Sequence, residues 1–119
     1  VTALTLAEFL LARIAEDEAD ARAASRVRET RTGDTWKAVR GRHGLDRITR
    51  TGGAVGDVMV ETARHVARHD PARVLAECEA KRRIVDLSKH GCGDDYERVQ
   101  RALALPYAEH LDYRKEWRI

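Results

Sequence analysis

Apolar residues recur along the chain in two rhythms. Leu6, Phe9, Leu10 and Ile14 fall three to four apart, which puts them on one face of a helix beginning near Thr5. Thr5-Leu6-Ala7-Glu8 has the form of a capping box, in which the hydroxyl and the carboxylate each satisfy a backbone N–H of the first turn. Beyond Ile14 the stripe thins to alanine. Acidic residues crowd Glu16 to Asp20, and Arg22, Arg26 and Arg28 follow, a polarity that suits the helix dipole. The first helical region is assigned to residues 1–30, and its second half either projects into solvent or packs on a partner.

Residues 31–54 lose the helical rhythm. Gly33, Gly41, Gly44, Gly52 and Gly53 interrupt it, while "DTWKAVR" and "LDRITRT" carry β-branched and aromatic residues. A hairpin joined through "GRHG" is the simplest reading, and an unstructured loop is its rival. A lone hairpin is marginal in water, so it should lean on the helices through Trp36, Val39 and Ile48.

Helical spacing resumes at Gly56 or Asp57 and runs to His69, with Val58, Met59, Thr62, Ala63 and Val66 as the apolar face. Asp70-Pro71 then bends the chain. The carboxylate is placed to cap a third helix, and proline at the first helical position has no N–H to lose. That helix should reach about Lys89, with Val74, Leu75, Cys78, Ile84, Val85 and Leu87 buried. "HGCGDD" breaks it. A fourth helix starts at Asp94 or Asp95, buries Val99, Ala102, Leu103 and Leu105, and ends at Pro106. The tail holds Tyr107, Leu111, Tyr113 and Trp117 and should dock on the body. The expected fold is mainly α: about four helices with a short β-hairpin inserted after the first helix and an aromatic C-terminal tail. It reads as a single domain, 1–119, divided into an N-terminal helix (1–30), a hairpin or loop (31–54), a helical core (55–105) and a docking tail (106–119).

Composition narrows the function classes. With 119 residues the chain fits one domain, and 5% aromatics mean that its core must draw on Leu, Val, Ile and Ala. Charged residues reach 35%, yet the net charge is only +2, which argues against a dedicated nucleic-acid binder. The apolar runs are too short for a membrane span. The opening "VTALTLAEFLLARIAEDE" lacks the basic leader of a signal peptide. Two cysteines, Cys78 and Cys92, do not make a disulfide framework, so a cytoplasmic protein with reduced thiols is expected.

Four chemistries compete for the remaining residues. His65 and His69, four apart on a helix, present both imidazoles on one face, as zinc coordination needs; Cys92 and His110 would complete the set. The rival reading places both histidines at a helix C-terminus, where imidazole donors satisfy the last carbonyls. Geometry favours the rival, because a helix of this length separates the Asp70 elbow from the Cys92 loop by about 25 Å. No cofactor is therefore expected. Nor is an enzyme: no signature surrounds Cys92, Cys78 reads as a small core residue, and "TGGAVGD" lacks the lysine of a phosphate loop. Nucleic-acid binding would use the cations of the hairpin, Lys37, Arg40, Arg42, Arg47 and Arg50, beside Trp36 and His43. Protein partnership, with a different chain or a second copy, would use the alanine stripe of Ala12, Ala15, Ala19 and Ala23. A non-enzymatic interaction protein is the preferred expectation.

Three segments, "FLLARIAEDEADARAA", "ARHVARHDPARVLAECEAKRRIVD" and "LALPYAEHLDYRKEWR", resemble an uncharacterised family of small proteins from high-GC Gram-positive bacteria and their phages. The likeness covers roughly two-thirds of the chain and carries no activity with it. It does bear on zinc. The resemblance implies cysteines and histidines with the look of metal ligands between the third helix and "LALPYA". Here only His90 and Cys92 stand there, and no cysteine lies near Glu97 and Arg98, so this chain has no four-cysteine site.

Overall fold

The structure is a computed structural model, and it describes residues 3–27, 31–51, 53–91 and 93–119. Helix α1 spans Leu6–Ser25. Two short strands, β1 (Arg26–Val27) and β2 (Arg31–Thr32), pair antiparallel after it. Strands β3 (Lys37–Arg40), β4 (Leu45–Arg50) and β5 (Gly53–Met59) form an antiparallel sheet in that order. Helices α2 (Val60–Arg68), α3 (Pro71–Lys89) and α4 (Asp94–Ala104) follow, and 3-10 turns at Leu105–Tyr107 and Lys115–Trp117 shape the tail. The chain divides into two compact units, Val1–Glu16 with Cys78–Ile119, and Asp17–Glu77.

In the first unit, α1 starts as its capping box dictates. The Glu8 N–H donates to Thr5 Oγ1 at 3.1 Å, and the Thr5 N–H lies 3.4 Å from Glu8 Oε2. Phe9, Leu10 and Ile14 of α1 and Cys78 and Val85 of α3 are the largest fully buried side chains. The aromatic tail closes on Phe9. Its ring centroid lies 5.0 Å from that of Trp117, 5.7 Å from His110, 5.9 Å from Tyr113 and 6.4 Å from Tyr107, mostly edge to face. Such contacts add roughly 0.5–1.5 kcal/mol per pair beyond burial. A chain poor in aromatics has gathered most of them around one phenylalanine.

In the second unit, α2 packs against all three strands of the sheet, and fully buried Ala63 lets the backbones approach. Ile48, on the central strand, is buried. The hairpin turn explains its glycines. Leu45 N–H donates to Arg42 O, and both central residues, His43 (φ 57°) and Gly44 (φ 74°), take the left-handed conformation that a type I′ turn demands. A side chain at Gly41 would have its Cβ 2.7 Å from Leu45 O. Asp70 ties the sheet's lead-in to α3. One carboxylate oxygen accepts the Arg73 N–H at 2.9 Å and caps the helix, and the other accepts the Trp36 N–H at 2.9 Å.

Several expectations need correction. α1 ends at Ser25 rather than extending to 30. The inserted β element is a three-stranded sheet, larger than a short hairpin: Gly53–Met59, read as the start of α2, pairs with β4. Val58 and Met59 therefore sit on a strand. Helical and strand patterns coincide over this stretch, and the free edge of β4, with Arg47 set opposite Asp57, decides for the strand. Val39 is exposed, because its row faces away from Ile48. On α3 and α4, Ile84, Leu87, Val99 and Ala102 are exposed rather than buried, and so is Leu105 in the 3-10 turn that follows. Leu111 in the tail is 98% exposed.

Candidate functional site

The hairpin cations are not a uniform patch. Arg47 and Asp57 are directly opposite across β4 and β5, and Arg47 Nε donates to Asp57 Oδ1 at 3.0 Å. Arg40 pairs in register with Asp46. Arg42 occupies the hairpin turn, exposed. Arg50 is held: its guanidinium donates to the Ala24 carbonyl and sits 6.0 Å from the centre of the Trp36 ring. Lys37 opposes Thr49 across the β3–β4 ladder. At this end of the sheet an open groove of about 330 Å³ is lined by Thr35, Lys37, Thr49, Arg50 and Thr51. The sequence singled out Lys37 and Arg50 by charge. It missed the three threonines, which only strand pairing and the β4–β5 turn bring alongside.

The zinc candidates are distributed over both units. His65 and His69 do share a face, with ring centroids 4.5 Å apart. His69 Nδ1 lies 2.9 Å from the His65 carbonyl, which caps the end of α2. Both belong to the sheet unit. His110 belongs to the other unit, where its ring contacts Phe9 and the guanidinium of Arg13. Its Nδ1 also accepts the Asp112 N–H at 3.0 Å. Cys92 lies outside the described residues. Among the described residues, no three His, Cys, Asp or Glu side chains cluster as a metal site would need. Cys78 is buried, with its sulfur 4.0 Å from the Ile14 carbonyl.

Arg13 has a structural role that only the folded chain reveals. It is 8% exposed, on the buried side of α1, and pairs with Glu16 at 2.9 Å and with His110. Asp112 lies 3.8 Å away. Its spacing from Leu6, Phe9 and Leu10 puts it on the apolar stripe of α1, and there it anchors the tail across 97 positions of sequence.

A second surface lies at the α3–α4 turn. Leu87 is 69% exposed, Ile84 lies one turn before it, and Gly91 one turn after. The Tyr96 ring rests on Gly91 so closely that it leaves no room for a Cβ there. Val99, on the next turn of α4, is also exposed. Gln100 Nε2 donates to Ser88 Oγ at 2.8 Å and fixes α4 against α3. Ile84 and Leu87 on α3 and Tyr96 and Val99 on α4 are thus exposed large apolar side chains near this turn, interspersed along the sequence with Arg83, Asp86, His90, Asp95 and Arg98.

No helix among the described residues is long and apolar enough to cross a membrane. Neither the curated proteins nor the solved structures contain a match to the chain. A family model described as "Family of unknown function (DUF6221)" matches residues 4–119. That match takes in the first helix, the sheet, the Asp70 elbow and the aromatic tail, and the chain belongs to this family of unknown function.

Proposed function

We propose that this protein is a non-enzymatic accessory factor of the cytoplasm that works by binding another protein or a second copy of itself. The observation that carries this reading is Leu87, 69% exposed on α3, with Ile84, Tyr96 and Val99 of the same helix pair also exposed. Large aliphatic and aromatic side chains grouped on a surface and rimmed by charges are the composition of an interface centre. The alternating charges of the rim, Arg83, Asp86, Asp95 and Arg98, would set orientation more than affinity. The side chains best suited to catalysis already have structural work, Cys78 in the core and His110 against Arg13.

The reading is tested by light scattering after size exclusion over a wide concentration range. The self-association form predicts a mass that rises with concentration in the wild type and stays monomeric in Leu87→Lys. For the form with a different partner, a photo-crosslinker at position 87 should give a discrete adduct that one at exposed Lys115 does not. A strict monomer with no position-specific adduct would end the proposal.

A further inference from the structure

We infer that the groove at the end of the sheet, lined by Thr35, Lys37, Thr49, Arg50 and Thr51, binds a phosphate group. Among the described residues, two cations line it and no carboxylate does. Among the described residues, neither Lys37 nor Arg50 has an ion-pair partner, whereas Arg47, on the same strand as Arg50, is matched by Asp57. Both charges border the groove with no counter-charge from a described residue, so an anion bound there would neutralise them as Asp57 neutralises Arg47.

The two cations differ in how they are held, and both ways suit a phosphate. Arg50 is fixed by the Ala24 carbonyl and the Trp36 ring. A guanidinium has five N–H donors in a planar fork, so one spent on Ala24 leaves others for a second acceptor. Its side-chain entropy is already lost, which lowers the cost of binding. Lys37 is exposed, a point charge on a flexible stem that can follow the ligand. Thr49 stands directly opposite Lys37 in the ladder, so their side chains lie on one face about 5 Å apart at Cβ. Thr35 and Thr51 supply hydroxyls from the two connecting segments. The Thr35 hydroxyl makes only a long contact, 3.5 Å, with Asp34, and can turn to a stronger acceptor. Charge alone would accept any anion. Charge together with several hydroxyl donors favours a tetrahedral oxyanion with many acceptor positions.

The phosphate can come from a free nucleotide or from a nucleic-acid strand, and the experiment separates the two sources. Calorimetry with inorganic phosphate and with a nucleoside monophosphate is run beside anisotropy with a labelled single-stranded oligonucleotide. The variants are Lys37→Glu, Lys37→Arg and Thr49→Val, each checked for an unchanged circular dichroism spectrum. Binding that weakens roughly tenfold or more in Lys37→Glu, weakens less in Thr49→Val and survives in Lys37→Arg is the expected result. An oligonucleotide that binds far more tightly than the monophosphate, with a salt slope steeper than about −1, identifies a strand as the source. Equal affinities and a shallow slope identify the free phosphate. No binding of any of the three probes at millimolar concentration, or binding indifferent to both Lys37→Glu and Thr49→Val, overturns the inference.

Discussion

Phe9, Leu10, Ile14, Cys78 and Val85, the largest fully buried side chains, all belong to the unit that carries the aromatic tail. Among the described residues, the sheet unit buries Ala21, Ser25, Gly33, Ile48, Ala63, Asp70 and Pro71, a set with one large aliphatic side chain. The difference is one of mechanism. In the first unit stability comes from apolar area removed from water and from rings meeting edge to face. In the second it comes from ladder hydrogen bonds, one carboxylate placed between two backbone donors, and close approach over alanine. A short chain has thus built one interior by volume and the other by polar connection. Each unit holds one of the two tryptophans, Trp117 and Trp36 respectively, so the two can be followed separately.

The contrast is most strongly tested at Phe9. Phe9→Ala should cost about 3–5 kcal/mol in chemical denaturation followed by Trp117 in a Trp36→Phe background. A loss under about 1 kcal/mol would mean that the tail does not depend on this ring. Next comes Asp70→Ala, which strands two N–H donors in a buried setting and should cost about 2–3 kcal/mol, read through Trp36 in a Trp117→Phe background. Asp70→Asn keeps one acceptor and should fall between the two. Thr5→Ala removes the reciprocal cap of α1 and should cost about 1 kcal/mol. The smallest effect belongs to the Arg47–Asp57 pair, 56% and 48% exposed at the side chain. A double-mutant cycle there should give a coupling of at most about 0.5 kcal/mol, vanishing in high salt.

How far the sequence could be read divides along the same line. Local signals were sound. The capping box at Thr5, the Asp70-Pro71 start of α3 and the "GRHG" turn depend on residues within a few positions of one another, and each stands where its chemistry puts it. Failures came where a distant partner decides. "GAVGDVM" fits both periods, and only the edge of β4 makes it a strand. Periodicity correctly groups Ile84 with Leu87 on one flank of α3, but it cannot say which flank another helix covers. The Arg13–His110 contact spans 97 positions and leaves no local trace. The candidate sites follow suit. The histidine pair was visible from its spacing, whereas the threonines around Lys37 needed the sheet to bring them together.

Asp70 has a consequence for how the sheet unit opens. The Trp36 N–H is bonded to a side chain and not to a ladder partner, so solvent reaches it only when that carboxylate swings away from α3's first turn. Its deuterium uptake is therefore a one-proton clock for the elbow. Slow exchange matching the β4 amides would mean that helix and sheet let go as one, and fast exchange would mean that the hinge breathes on its own.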